Sequence, residues 1–366
     1  MGLPMTDITP QPGIMEIDLY VGGKSQLAGH RDVLKLSSNE NPLGPPPSAI
    51  AALQAAAGQM HLYPSTDHAS LRAAIGEVWG VDPDRVICGV GSDEVLQFVT
   101  QAYAGPGDEI IHTEHGFSMY PILTHMCGAT PVRVPERDRV VDVDAILDSV
   151  TAQTRIVLLT NPGNPTGTRL DDAEIVRLAD GLREDIILVV DGAYTEYAAG
   201  YDGGLALAEA RPNVLMTRTF SKIYGLGGLR VGWGYGPRAM IDVMTRIRQP
   251  FNLAVPALAA AEAAVRDVAW RDHCAALNAD QRARLTGALR QHGLACDESD
   301  TNFVLARASS IAEADALEAA LNADGILIRR VGGYGFPEGL RITVGDADQT
   351  GRVIDTLTRW RAEEVA

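Results

Sequence analysis

The chain has 366 residues, 46% of them apolar and 21% charged, and 47 acidic residues against 31 Lys and Arg give a formal net charge of −16. This is the composition of an ordinary globular protein, long enough for about two domains. The acidic balance excludes general nucleic-acid binding, which needs a basic face, but admits a small anionic substrate, since a few enclosed arginines set the sign of a local site.

Residues 1–14 carry no basic stretch followed by an apolar run, so no secretory signal is read and the expected location is the cytoplasm. The run Asn41-Pro42-Leu43-Gly44-Pro45-Pro46-Pro47 is expected to be irregular and extended, because consecutive prolines cannot enter a helix or a central strand. The Ala-rich residues 49–57 are too short to span a membrane. From about Val81 short apolar runs alternate with helical patterns. Strands are expected at 85–88, 109–112, 130–134, 155–160, 186–190 and 214–217, with amphipathic helices at 93–103, 142–150 and 171–181. The run Ile186-Ile187-Leu188-Val189-Val190 is apolar throughout, as in a strand covered by helices on both faces. Residues 254–290 read as one Ala-rich helical stretch bridging two units. After it come a strand at 302–305, a helix near 311–321, strands at 325–329 and 340–344, and a final helix. The expected class is α/β with a mostly parallel sheet, followed by a smaller α+β unit.

Cys88, Cys127, Cys274 and Cys296 are scattered without metal-ligand spacing and read as free thiols of a reducing compartment. Chemistry concentrates elsewhere. Gly89-Val90-Gly91-Ser92-Asp93-Glu94 lies between a predicted strand and a predicted helix. It suits a phosphate at a helix N-terminus, but two acidic residues there also suit the helix dipole with no ligand. It lacks the third glycine of a dinucleotide fingerprint. Asn161-Pro162-Gly163-Asn164-Pro165-Thr166-Gly167 is a rigid loop at the carboxyl end of a strand, where α/β sheets place ligands. Asp191 ends the next strand, with Tyr194 three residues on. That carboxylate can pair with a pyridinium nitrogen or cap the following segment. Thr219, Ser221 and Arg230 offer two hydroxyls and a guanidinium to a phosphate, with Lys222 among them in a glycine-rich loop. A lysine there can hold an aldehyde cofactor as a Schiff base.

Taken together, Gly91-Ser92-Asp93, Asn164-Pro165-Thr166-Gly167, Asp191 with Tyr194, and Ser221-Lys222 with Arg230 resemble the fold-type I aminotransferases that use pyridoxal 5′-phosphate. The resemblance covers nearly the whole chain. Leu36-Ser37-Ser38-Asn39-Glu40-Asn41-Pro42-Leu43-Gly44, Tyr63-Pro64, Phe251-Asn252 and Leu340-Arg341-Ile342-Thr343-Val344-Gly345 are similar to the histidinol-phosphate aminotransferase family in particular. The resemblance implies a large cofactor-binding domain (46–255) with a sheet of the seven-stranded type flanked by helices. It also implies an N-terminal arm (1–45) packing on the site and a small C-terminal domain (256–366).

Carried over residue by residue, Lys222 is the Schiff-base lysine, Asp191 pairs with the pyridine nitrogen, and Asn164 and Tyr194 bind the phenolic oxygen. Phe117 stacks on the ring, where the family often has Tyr. Ser92, Asp93, Thr219, Ser221 and Arg230 surround the cofactor phosphate, and Tyr63 reaches it from the other subunit of a homodimer. Tyr20, Arg329 and Arg341 hold the phosphate or carboxylate end of the substrate. Phe251 departs from members that carry Tyr at this position. Arg329 and Arg330 are neighbours on a strand, so only one faces the site. The implied reaction exchanges an amino group between histidinol phosphate and 2-oxoglutarate, giving imidazole acetol phosphate and glutamate, with no membrane or nucleic-acid partner. Aromatic amino-acid transamination is the alternative within the fold. An amino-acid-phosphate decarboxylase, a non-catalytic cofactor-binding module and a dinucleotide-dependent dehydrogenase are more distant readings.

Overall fold

The computed structural model describes residues 9–19, 22–23 and 25–365. Its centre is a seven-stranded sheet built, in chain order, from β1 (Val86–Gly89), β2 (Glu109–Thr113), β3 (Thr130–Val134), β4 (Thr154–Thr160), β5 (Ile187–Asp191), β6 (Val214–Thr219) and β7 (Gly232–Tyr235). The spatial order is β1-β7-β6-β5-β4-β2-β3. Every pairing is parallel except those of β7, which runs antiparallel to both neighbours. β5 shows why the sheet is buried on both sides. Leu188 and Val190 enter one apolar cluster, whereas Ile187 and Val189 enter the cluster on the opposite face, as the two-residue period of a strand requires.

Six of these strands match the expected segments to within two residues at each end. β7 has no counterpart in the sequence reading, because its Gly-Trp-Gly-Tyr weakens the strand pattern and continues a glycine-rich loop. The glycines answer a contact. A Cβ on Gly232 would lie 2.2 Å from Ser92 N and 2.3 Å from Gly91 C, so only glycine lets β7 pass the start of helix α1 (Gly91–Tyr103).

The smaller unit has an antiparallel sheet of β8 (Ala295–Cys296), β9 (Phe303–Arg307), β10 (Arg329–Val331) and β11 (Phe336–Thr343), in the order β8-β9-β11-β10. Its own apolar core includes Leu305's neighbours Val304 and Ala306, and Leu340, Ile342 and Leu357. The segment 325–329 divides into Ile326–Leu327 and β10. The first piece pairs in parallel with Leu34–Lys35, and Leu36 enters the small core, so the N-terminal arm is stitched to this unit.

Two expectations change locally. Pro47 is not part of the irregular run but opens the helix Pro47–Ala56, since a first-turn residue needs no N–H donor. The Ala-rich stretch breaks at Asp267 into Val255–Arg266 and Val268–Gln291, where the Asp267 side chain accepts from Trp270 N at 3.2 Å. The first of these helices gives Ala257, Ala260, Ala261 and Ala264 to the large core; the second gives Cys274 to it and Leu285 and Leu289 to the small core. We therefore propose placing the domain boundary inside Val268–Gln291 rather than at residue 255. Among the described residues no helix is long and apolar enough to cross a membrane.

Gly232→Ala is expected to lower the unfolding free energy by roughly 1–3 kcal/mol through overpacking against backbone that cannot yield, measured as a shift of the urea midpoint. An unchanged midpoint would contradict the tight contact between β7 and α1.

Candidate active site

The parallel strands end together, and a cavity of about 200 Å³ opens at their carboxyl edge, the position at which α/β sheets bind ligands. Ser92, Asp93, Phe117, Asn164, Asp191, Tyr194, Thr219, Ser221, Lys222, Arg230, Arg329 and Arg341 all line it. The sequence places them on seven separate segments; folding brings them to one chamber.

One end is built for an anion. Arg230 donates to Ser221 Oγ at 3.0 Å and to Asp93 Oδ2 at 3.1 Å. Its backbone is left-handed, with φ 55°, a conformation that costs of order 1 kcal/mol or more for a residue with a Cβ. The Arg230 carbonyl accepts the Gly91 N–H at 3.1 Å, pinning that turn to the start of α1. The two acidic residues of this helix separate in role. Glu94 turns back to accept the Val90 N–H at 2.7 Å, whereas Asp93 pairs with Arg230. Ser92 and Thr219, both buried, add hydroxyls beside the helix N-terminus, whose open N–H groups and dipole favour negative charge.

Asp191 lines the same cavity, level with Thr160 on β4 and Thr217 on β6. Thr217 Oγ1 donates to Oδ1 at 3.0 Å and the Tyr120 hydroxyl donates to Oδ2 at 2.9 Å. Burial raises the Asp191 carboxyl from 3.8 to about 6, and these two hydrogen bonds hold it from rising further. A cation placed beside it would restore the charged form. Tyr120 was not among the expected residues. It sits one helical turn beyond Phe117 and packs edge-on against it, with centroids 5.8 Å apart; that spacing from a ring-stacking residue is the only signal the sequence held.

Lys222 lines the same cavity, its Nζ 5.7 Å from the centroid of the Tyr194 ring. Desolvation lowers its pKa from 10.5 to about 8, helped by the Arg341 and Arg230 charges and opposed by Asp93. Asn164 is oriented from the smaller unit, since Arg341 Nη1 donates to its Oδ1 at 2.6 Å while Nη2 donates to Ser37 O at 3.1 Å. Asn39, quoted above only within a motif, also lines the cavity and donates from Nδ2 to the Tyr194 hydroxyl at 2.9 Å.

Strand register resolves the arginine pair. Arg329 lies directly opposite Arg341 in the β10–β11 ladder, so both project from one face of the sheet, and both line the cavity. Arg330 points the other way, bonding to Asp315, to Glu318 at 3.3 Å and to Pro337 O. Tyr63 is not in the cavity of its own chain. It is 80% exposed and stacked on Phe251, with centroids 4.5 Å apart. Tyr20 lies outside the described residues.

Residues 31–357 match the family Aminotransferase class I and II. The chain is 61% identical over 357 residues to a histidinol-phosphate aminotransferase of Ruegeria pomeroyi, covering 98% of this chain and 99% of the relative. It belongs to the class I and II aminotransferases, in their histidinol-phosphate branch. A second such aminotransferase, from Paracoccus denitrificans, is 55% identical over 363 residues, 99% of each chain. Among solved structures, the histidinol-phosphate aminotransferase from Sinorhizobium meliloti in complex with pyridoxal-5′-phosphate superposes with a TM-score of 0.90 at 26% identity, covering 100% of this chain and 99% of that one. An aspartate aminotransferase from Thermus thermophilus shares the fold, with a TM-score of 0.78 at 21% identity over 90% of this chain and 92% of its own.

The residues of this aminotransferase fit such a cofactor on their own terms. The anion cradle suits a phosphate, the buried Asp191 carboxyl suits a protonated ring nitrogen, Phe117 offers a face to the ring, and an enclosed amine suits an aldehyde. Lys222 is one of only three lysines, with Lys24 and Lys35, so its chemistry can be followed cleanly. Because burial and neighbouring cations disfavour its charged form, its neutral fraction grows as pH rises through about 8. The rate at which apoenzyme captures pyridoxal phosphate, followed by absorbance, is expected to rise with that midpoint; a midpoint above 10 would place Lys222 in an ordinary solvated setting.

Proposed function

We infer that the enzyme transfers the amino group of histidinol phosphate to 2-oxoglutarate with pyridoxal phosphate as cofactor. The observation that carries this reading is the gathering of Lys222, an anion cradle and a buried carboxylate in one chamber, with two further arginines, Arg329 and Arg341, lining it. One set of charges serves the cofactor, and the other faces an anionic substrate. Bound pyridoxal phosphate supplies an electron-withdrawing ring that stabilises charge developing at the α-carbon of the substrate.

In this reading Arg230, Ser221, Thr219, Ser92 and the α1 N-terminus, with Asp93 holding the guanidinium, fix the phosphate of the cofactor. Asp191, held by Tyr120 and Thr217, keeps the ring nitrogen protonated. Asn164 and Tyr194 bind the phenolic oxygen, and Phe117 limits tilt of the ring. Lys222 Nζ would hold the aldehyde carbon of the cofactor and, once displaced from it by the substrate amine, would carry the α-proton of the substrate to that same carbon. A pKa near 8 leaves enough neutral amine for that base role near neutrality. Arg329 and Arg341 orient the phosphate of histidinol phosphate and, in the second half-reaction, a carboxylate of 2-oxoglutarate, by charge-assisted bonds suited to both anions. The four free thiols accord with a cytoplasmic placement.

Steady-state transamination with 2-oxoglutarate as acceptor is expected to give a larger specificity constant for histidinol phosphate than for phenylalanine. Lys222→Ala should lose at least about 10³-fold in turnover. A larger constant for phenylalanine would replace the substrate assignment, and near-normal turnover by Lys222→Ala would remove the mechanism.

We further propose a homodimer in which Tyr63 serves the cofactor phosphate of the other subunit. Its exposure and its stacking on Phe251, within a surface that also bares Met60 and Leu62, support an interface there. Mixing Lys222→Ala with Tyr63→Ala subunits should then recover about a quarter of wild-type activity, because half the dimers are hybrids with one intact site. No recovery on subunit exchange would leave Tyr63 outside the site.

A further inference from the structure

Asn39 sits where three parts of the chain meet. It is 1% exposed and holds φ at 56°, in the left-handed region that Asn tolerates better than most side chains. Its backbone N–H donates to Thr343 Oγ1 at 3.0 Å, and the Thr343 hydroxyl donates back to Asn39 Oδ1 at 3.2 Å. Asn39 Nδ2 donates to the Tyr194 hydroxyl oxygen at 2.9 Å, and the Asn39 carbonyl accepts from Asn302 Nδ2 at 2.9 Å. Thr343 ends β11 of the smaller unit and Tyr194 follows β5 of the large sheet. One buried side chain of the N-terminal segment therefore joins both.

The direction of these bonds follows from what each group can do. A backbone N–H only donates, so the Thr343 oxygen accepts there and its hydrogen is left for Asn39 Oδ1. That sets the amide with oxygen toward Thr343 and nitrogen toward Tyr194. An amide NH2 also only donates, so the Tyr194 oxygen accepts, and its own hydrogen is turned away from Asn39. Tyr194 and Asn39 both line the chamber of Lys222. With the amide reversed, the Thr343 oxygen would accept twice. Its hydrogen, in a residue 2% exposed, would find no other acceptor among the described residues, an arrangement costly in a buried site.

We propose that Thr343 and Asn39 form a positioning relay that fixes Tyr194 as a hydrogen-bond donor into the chamber, toward the phenolic oxygen of the bound cofactor. The inference rests on the role given to Tyr194 under the proposed function. The charged and titratable groups around Tyr194 are Arg341 from β11, Asp191 from β5, Asp93 from α1, Tyr197, and Lys222 over its ring. Burial and the two carboxylates hold the hydroxyl in its protonated form, against Arg341 and the Asn39 bond, so it keeps the hydrogen that the relay aims. Arg341 is two residues from Thr343 on the same strand. The smaller unit therefore delivers both a charge and a hydrogen-bond direction to one oxygen.

The test is a pH titration of the visible absorption band of holoenzyme, a readout independent of turnover. A donor at the phenolic oxygen draws off negative charge and lowers the proton affinity of the lysine-bound chromophore, so its loss raises the midpoint. Tyr194→Phe should raise it by roughly one pH unit, and Thr343→Val, similar in shape but lacking the hydroxyl, by roughly half a unit. Thr343→Ser should restore the wild-type value, and Thr343→Val should add nothing in a Tyr194→Phe background. Asn39→Gly, which suits the same φ, gives a second route to the half-unit rise if the valine variant does not fold. An unmoved midpoint in Tyr194→Phe removes the role of Tyr194 and the relay with it. A shift in Tyr194→Phe with wild-type midpoints in Thr343→Val and Asn39→Gly overturns the relay alone. Equal Thr343→Val shifts in both backgrounds also overturn it, by placing the effect outside Tyr194.

Discussion

An amine enclosed with two guanidinium groups loses much of its preference for charge, and the site is arranged around that constraint. Burial lowers the Lys222 amine most, and the charges of Arg341 and Arg230 in its chamber add to that, leaving it near 8 rather than 10.5. Both guanidinium groups are hydrogen-bonded within the protein. Arg230 is tied to Ser221 and Asp93, and Arg341 to Asn164 and Ser37. Asp191 meets the opposite problem, a carboxylate pushed up by burial, and two hydroxyls limit the rise. The apoprotein thus holds an amine and a carboxyl whose charged forms are both disfavoured relative to solvent in one cavity. A cofactor that is anionic at one end and cationic at the ring nitrogen relieves both.

The smaller unit is part of this chemistry rather than a cover for it. β11 carries Arg341 and Thr343 on alternate positions of one strand, so both point to the same face, and β10 sets Arg329 opposite Arg341. The N-terminal arm is held between the units. It pairs with Ile326–Leu327 on one side and bonds to Tyr194 through Asn39 on the other. The Tyr194–Asn39–Thr343 contacts are therefore tertiary links between bodies with separate cores.

What the sequence disclosed follows from where each residue sits. Asn164, Asp191 and Lys222 come just after strands, where an apolar run and a loop motif are both legible, and their order alone narrows the chemistry. Tyr120 was not legible, because its partner Asp191 is 71 positions away and nothing local marks the pair. The bond from Asn39 to Thr343 spans 304 positions. The choice between Arg329 and Arg330 needed the register with Arg341. β7 was missed for a sharper reason: the glycines that weaken its strand pattern are those its contact with α1 demands. Tyr63 belongs to a different class, since a single chain leaves it in solvent.

The reversed direction of β7 has a topological consequence. In a sheet whose other strands all finish at the functional edge, each contributes the residues that follow it. A strand running the other way begins at that edge and contributes what precedes it. Arg230 comes two residues before Gly232, the first residue of β7, so it enters the chamber from a chain travelling inward while Ser221 and Lys222 enter from one travelling outward. The loop between β6 and β7, residues 220–231, thus remains at the active edge, and the lysine and the arginine are delivered by a single antiparallel connection rather than by two crossovers.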